Sequence, residues 1–277
     1  MRGILTMVHL TLQEARRRRL LLSALLFGLA FLSLFATGFH FIHRDLMAHN
    51  VLPAQRKLIL SSVMMAGFYA VNFLMVMTAV LVPVDTLSGE ISSGVIQTVA
   101  AKPLHRFQII LGKWIGFSLI LALYLGLMAG GLVLVGKVLG GVTLLRIGTG
   151  VSLMGLEGTL LLTLSIAGGT RLTTIANGVT VLGLYGLAFI GGWMEQIGTL
   201  LGNATTRYVG IVASLFVPSE SLWQLAAYHM QPPLMRDLNL TPFSPASVPS
   251  GYMILWAVGY TLAVLCWALW QFHKRNL

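Results

Sequence analysis

Charged residues are scarce in this sequence. Only 9% of its 277 residues are Asp, Glu, Lys or Arg, whereas 56% are hydrophobic. A water-soluble domain has about 25% charged residues, because its surface must be solvated. The low charge therefore excludes a soluble globular protein. It predicts an all-α integral membrane protein, because a helix satisfies its own backbone hydrogen bonds in lipid.

Cysteine and the common catalytic motifs are nearly absent as well. Cys266 is the only cysteine, which excludes an intramolecular disulfide, a cysteine-based zinc site and an iron–sulfur cluster. No G-x-x-x-x-G-K-[ST] motif occurs, so the chain does not hydrolyse ATP by that route. H-E-x-x-H and G-x-S-x-G are missing too. We predict that the chain itself is not an enzyme and holds no cofactor.

The basic residues are distributed as in a membrane protein. The formal net charge is +10, but the lysines and arginines lie at the ends of apolar segments and do not form one basic face. Membrane topology and anionic lipid headgroups explain this distribution, so we predict lipid contacts and no nucleic-acid partner. The consecutive Arg16, Arg17, Arg18 and Arg19 are typical of a segment held on the cytoplasmic side.

Six segments are long and apolar enough to cross a membrane, which takes about 20 helical residues. The predicted spans are residues 20–41, 58–82, 109–135, 147–167, 175–193 and 252–270. An amphipathic helix over residues 1–19 precedes them, and we expect it to lie along the membrane surface. The sequence thus predicts one transmembrane domain over residues 1–277. It would be a multi-pass protein of the cell (inner) membrane, with both termini cytoplasmic.

A polar stretch, residues 85–114, interrupts the apolar first half of the chain. It contains six ionisable residues: Asp85, Glu90, Lys102, His105, Arg106 and Lys113. Gly89 and Glu90 are typical of a turn or a helix start, and the apolar residues from Ile91 to Val99 follow helical spacing. Pro103 ends that pattern. A helix over residues 91–100 is too short to span, so it is expected to lie at the interface or to dock on a partner.

At this stretch the sequence resembles the ABC-2 type permeases, the membrane subunits of ATP-binding cassette exporters. The family pattern is an acidic residue, a glycine, a proline followed by a basic residue, and a Gly-Lys pair. It is matched by Glu90, Gly94, Pro103, Arg106, Gly112 and Lys113. The resemblance implies that residues 85–108 form a cytoplasmic loop whose coupling helix, with Ile91 and Val95, inserts into a groove of a separate ATPase. It also implies that the N-terminal helix touches that ATPase.

The same resemblance implies a function and a set of partners. The chain would be the permease subunit of an ABC transporter, an exporter driven by ATP hydrolysis on another subunit. Two copies of a cytoplasmic ATPase would bind the ATP and Mg. A second permease copy would complete a homodimer or a related heterodimer.

Two polar residues lie inside predicted spans, Asn72 in the second and Glu157 in the fourth. An intramembrane carboxylate is costly unless it is paired, protonated or hydrated. Glu157 is therefore a candidate for a proton relay or a cation contact on a translocation path that Asn72 also faces. The alternative is a protonated or hydrogen-bonded carboxyl that only joins helices.

Three histidines, His40, His43 and His49, follow the first span. His40 and His43 are three residues apart and can share a helix face, an arrangement that suits Zn or Cu. Polar residues seated at the interface are the commoner explanation. The alternative functions are therefore a membrane metal-handling protein or enzyme that uses these histidines with Glu157, or a non-transporting assembly subunit.

Residues 195–250 are predicted to form an external loop with short helices, another feature shared with the ABC-2 permeases. The apolar residues 208–217 are too few to span and suit a re-entrant or interfacial helix ending at Pro218. Ser219 and Ser221 are expected to cap a second short helix. In the third span, the spacing of Gly126, Gly130 and Gly131 predicts a face for close helix packing.

Overall fold

A computed structural model describes residues 2–17, 19–92, 105–233 and 247–274. Within these ranges the chain forms helices and no strand, which confirms the predicted all-α class. The helices, in chain order, are α1 (Arg2–Arg17), α2 (Arg19–Ala48), α3 (Pro53–Leu81), α4 (Ser88–Ser92), α5 (Arg106–Gly140), α6 (Ile147–Gly169), α7 (Thr174–Leu200), α8 (Ala204–Phe216), α9 (Ser219–Met230) and α10 (Tyr252–His273).

Six of the described helices are long and apolar enough to cross a membrane: α2, α3, α5, α6, α7 and α10. They coincide with the six predicted spans, so the chain is a multi-pass membrane protein. Several continue beyond the predicted bounds, with α2 ending at Ala48 and α7 at Leu200. A prediction from hydropathy ends where polar residues begin, whereas a helix continues into the interface.

Helices α3 and α6 form the centre of the bundle. Their most apolar segments are 61% and 67% buried, against 11% for α2. The main core contains the buried methionines Met64, Met65 and Met75 of α3, packed against leucines of α5 and α6. Flexible methionine side chains fill irregular gaps between helices well. Asn72 of α3 and Glu157 of α6 are consequently held away from lipid.

Helices α8 and α9 form a re-entrant pair. Helix α8 packs against α7, the chain then bends by 106°, and α9 packs against α6. Leu145, just before α6, donates its backbone N–H to the carbonyl of Met230 over 3.1 Å. Helix α9 therefore ends where α6 begins, which is also the end of the bundle where α7 stops. The pair enters and leaves on one side, as the predicted short helices between spans five and six require.

Helix α1 packs along the first turns of α5. Met7 and Ala15 are buried in a second hydrophobic cluster, together with Ile109 and Phe117 of α5 and Phe272 of α10. The predicted amphipathic helix is present, and part of its apolar stripe contacts the bundle. We call this end of the molecule, formed by α1, α4, the start of α5 and the end of α10, the anchor end.

One local prediction is wrong, and another holds only in part. Helix α9 starts with Pro218 in the N-cap position and has no side-chain cap, so Ser219 and Ser221 do not cap it. The second prediction was a close-packing face on the third span. A Cβ atom added at Gly126 or Gly130 would meet no atom within 4 Å, whereas at Gly131 it would lie 2.7 Å from Leu32. Small-residue spacing does not reveal which face of a helix its neighbours cover.

Candidate functional site

The polar stretch starts in the turns that follow α3 and continues as one turn of helix, α4. Gly89 and Glu90, expected in a turn or at a helix start, lie within α4, and Ile91 belongs to it as well. Gly94, Val95 and Pro103 lie outside the described residues. The start of a helix in the polar stretch is thus observed, and the coupling helix over residues 91–100 stays a prediction.

A buried ion pair attaches α4 to α5. The Glu90 carboxylate pairs with the Lys113 ammonium group. Lys113 is only 2% exposed, and its Nζ also donates to the carbonyl of Thr86 over 3.3 Å. Among the described residues no other basic side chain is buried. A buried charge is tolerated only when it is paired and hydrogen-bonded, so this pair fixes α4 on the bundle.

The neighbouring residue, Gly112, holds α1. A Cβ atom at Gly112 would overlap the Cβ of Met7 and lie 3.2 Å from the carbonyl oxygen of Ile4. One turn further, a Cβ at Gly116 would lie 2.9 Å from the Cβ of Thr11. The two helices approach this closely because glycine has no side chain. Consecutive residues of α5 therefore hold two elements, with Gly112 on α1 and Lys113 on α4.

The first turn of α7 is hydrogen-bonded to the polar stretch. Thr174 Oγ1 donates to Asp85 Oδ1 over 2.7 Å, and Ser88 Oγ lies 2.9 Å from the Thr174 hydroxyl. These bonds hold the turn before α4 against the first turn of α7. We call the residues that fix α1, α4 and the turns between α3 and α4 the anchor cluster: Asp85, Glu90, Gly112, Lys113, Thr174 and Asn177.

Asn177 is the most deeply buried polar member of the anchor cluster. Its Nδ2 donates to the carbonyl of Ser165 over 2.8 Å and to that of Val84 over 3.3 Å. It thereby connects α7 to α6 and to the residues that follow α3. A single side chain thus bridges three parts of the bundle.

Replacing Asn177 with alanine is expected to lower the free energy of unfolding by about 1–3 kcal/mol, because two buried carbonyls lose their donor. The thermal unfolding midpoint of the purified protein measures this. Ser152→Ala is the control, since it removes an exposed hydroxyl that bonds only within its own helix, to the carbonyl of Gly148. Equal midpoints for the two variants would contradict the bridging role.

Arg106, the first residue of α5, connects α5 to α10. Its Nη1 donates to the carbonyl of His273 over 3.0 Å, in the last turn of α10, where a positive charge is favoured by the helix dipole. Arg16 and Arg19 are exposed at the junction of α1 and α2, and Arg18 lies outside the described residues. Arg17 ends α1. Arg106 therefore lies at the anchor end, whereas Arg16 lies further along α5, in a cavity that Ile120 and Leu123 also line.

The two predicted intramembrane residues, Asn72 and Glu157, lie side by side. Glu157 is 0% exposed and Asn72 is 3% exposed. The Asn72 amide is next to the Glu157 carboxyl, although outside hydrogen-bonding geometry. Neither oxygen of Glu157 has a hydrogen-bond partner among the described residues, and neither does the Oδ1 of Asn72. The structure thus brings both residues into one site.

Glu220 is a member of this site that the sequence did not reveal. It was expected outside the membrane, at the start of α9, but it is only 5% exposed. A Cβ atom at Gly192 of α7 would overlap its Cγ and lie 2.8 Å from Gln224 Nε2. Trp223, three residues further along α9, contacts Tyr69, which lies three residues before Asn72 on α3, so Glu157 is not the only buried acid in this region. A partial signal was available, because Glu220 is the sole acidic residue of α9 and the apolar Leu222, Trp223 and Leu225 follow it.

Two tyrosines complete the site. The ring of Tyr69 packs edge-on against Trp223, with 5.5 Å between ring centroids. Tyr185 is within reach of the charges of both Glu157 and Glu220. We call these residues, contributed by α3, α6, α7 and α9, the acidic cluster: Tyr69, Asn72, Glu157, Tyr185, Glu220 and Gln224.

The histidines do not assemble into a metal site. His40 is exposed and His43 half-buried near the end of α2, and His49 follows that helix. His49 Nδ1 lies 3.4 Å from Asp45 Oδ1 of the same segment. In the part of the chain that the structure describes, no three His, Cys, Asp or Glu side chains are arranged to hold a metal ion. The Zn or Cu alternative therefore gains no support from the geometry.

Compared with known families and curated proteins, the chain matches no family model and no curated protein. A functional assignment consequently rests on its residues and their geometry. Two groups of side chains are candidates for function: the anchor cluster at one end of the bundle and the acidic cluster in its interior.

Proposed function

We propose that the chain is the permease subunit of an ABC-2 type ABC transporter, an exporter in the cell membrane with both termini cytoplasmic. Two copies of a separate cytoplasmic ATPase bind ATP and Mg, and a second permease copy completes the transporter. One observation carries the proposal. The adjacent residues Gly112 and Lys113 attach α1 and α4, the elements that the resemblance assigns to ATPase contact, to a single span.

A transporter driven by another subunit needs a stiff connection between that subunit and its spans. Successive residues on a helix point about 100° apart, so α1 and α4 contact α5 on different sides. The α1 contact is close helix packing at Gly112, and the α4 contact is a buried ion pair at Lys113. A push on either element therefore acts on α5 without passing through a flexible loop.

Recovery of the ATPase tests the proposal. We expect the tagged chain, purified gently from its native membrane, to bring a soluble ATPase with it in stoichiometric amount. Scrambling residues 91–100 should abolish that recovery, because it destroys the predicted coupling helix. Scrambling residues 235–244 is the matched control, since the proposed topology puts them on the opposite face, and it should leave recovery intact. Absence of any ATPase under several mild detergents, or equal recovery with both variants, would contradict the proposal.

A further inference from the structure

The acidic cluster contains buried hydrogen-bond acceptors that lack donors. Both oxygens of Glu157, the Oδ1 of Asn72 and the Oε1 of Gln224 have no hydrogen-bond partner among the described residues. All three side chains are more than nine-tenths buried. A buried acceptor without a donor costs about 1–3 kcal/mol. The side chains of Asn72 and Gln224 are each next to one of the two acids, so the unpaired oxygens of this group indicate a ligand that supplies donors.

Within the described ranges, no basic side chain other than Lys113 is buried in the bundle. Helix α3 contributes Tyr69, and α7 contributes Tyr185, both neutral side chains that sense the two carboxyl groups. Lys113, the buried lysine, pairs with Glu90 at the anchor end.

The remaining helices packed around the cluster add no charge to it. Helices α5 and α10 contribute the tyrosines Tyr124 and Tyr260 to the bundle core. On α8, which packs against α9, Arg207 and Tyr208 are exposed. Glu157 and Glu220 therefore lie close together without a counter-cation from the described residues.

We propose that Glu157 and Glu220 form a proton-binding site inside the membrane, which holds at least one proton at neutral pH. Two neighbouring buried carboxylates repel each other and lack solvation, so both do not stay ionised. A proton on one carboxyl turns it into a donor, which satisfies an acceptor of its neighbours. This site goes beyond the proposed export function, since the bundle would bind a proton independently of the ATPase.

Helix α9 links this proton to the shape of the bundle. Glu220 is the second residue of α9, directly after the 106° bend from α8. Glu157 is on α6, against which α9 packs. Removing the proton leaves two negative charges that push α9 away from α6. Proton release and displacement of α9 are therefore coupled, and each favours the other.

Infrared spectroscopy of the purified chain tests the proton directly. A protonated carboxyl has a C=O stretching band separate from carboxylate bands, and this band shifts in D₂O. We expect the band in the wild type at neutral pH and its loss in the double variant Glu157→Gln with Glu220→Gln. Glu14→Gln, on the surface helix α1, is the matched control and should keep the band.

The single variants keep the test decisive if the double variant does not fold. At least one of Glu157→Gln and Glu220→Gln must weaken or shift the band, and an unchanged band in both would overturn the proposal. A band that is absent from the wild type and emerges only when Na⁺ is removed would also overturn it, in favour of a bound cation. The spectra require no ATPase, so failure of this proposal and failure of the export function are distinguishable.

Discussion

Reversing the charge of Lys113 is expected to detach α4 from the bundle and to abolish recovery of the ATPase. Lys113→Glu places a second carboxylate against Glu90 in a site where the native lysine is almost fully buried. Breaking a buried ion pair by removing one partner costs about 3–5 kcal/mol. Affinity purification of the tagged variant, followed by quantification of the ATPase, measures the effect.

Exchanging both charges is the critical control. Glu90→Lys combined with Lys113→Glu restores an ion pair, and we expect partial recovery of the ATPase. Recovery stays incomplete because a glutamate at position 113 cannot donate to the carbonyl of Thr86. Lys137→Glu, near the opposite end of the same helix and exposed, should have no effect. Full ATPase recovery with Lys113→Glu alone would refute the role of this pair.

Replacing Gly112 with leucine is expected to lift α1 away from α5. The new Cβ would overlap the Cβ of Met7. Both atoms are bonded directly to the backbone, so no side-chain rotation relieves the overlap and the helices must separate. Ala15, fully buried near the end of α1, should then become accessible.

Cysteine labelling measures this separation. Cys266 is first replaced by serine, because it is the only cysteine and is exposed. Ala15→Cys is then introduced and treated with a maleimide. We expect a protected cysteine in this parent and a labelled one after Gly112→Leu. The matched control is Gly126→Leu, the same substitution on the same helix at a position with no atom within 4 Å, and its cysteine should stay protected. Protection in the Gly112→Leu variant would show that the contact is not close.

The spans could be predicted from the sequence because the membrane imposes a length and a composition on each of them. The polar stretch could be located for the same reason, since it interrupts that composition. Glu90 and Lys113 were both singled out, but their pairing was not predicted. It depends on the path of the chain between α3 and α5, which no local pattern encodes.

The acidic cluster was predicted only in part for a related reason. Asn72 and Glu157 were found because each is a polar residue within a long apolar segment. Glu220 was assigned to an external loop, because α9 is too short to cross a membrane. Its burial follows from the bend that returns α9 into the bundle, a tertiary feature. Likewise, Gly112 was identified by resemblance, whereas its contact with Met7 emerged only from the packing of α1.

In the proposed transporter, helix α5 would act as a lever. It is one continuous helix of 35 residues without a proline, about 52 Å long at 1.5 Å per residue. At the far end of α5, a Cβ atom added at Gly140 would lie 2.8 Å from the ring of Phe39 of α2. Gly136 packs in the same way against Met64 of α3. A tilt of about 5° at the anchored end would carry Gly140 through about 4–5 Å. In the proposed transporter, a small displacement of α1 and α4 would thus be enlarged at the opposite end of α5, where this helix contacts α2 and α3.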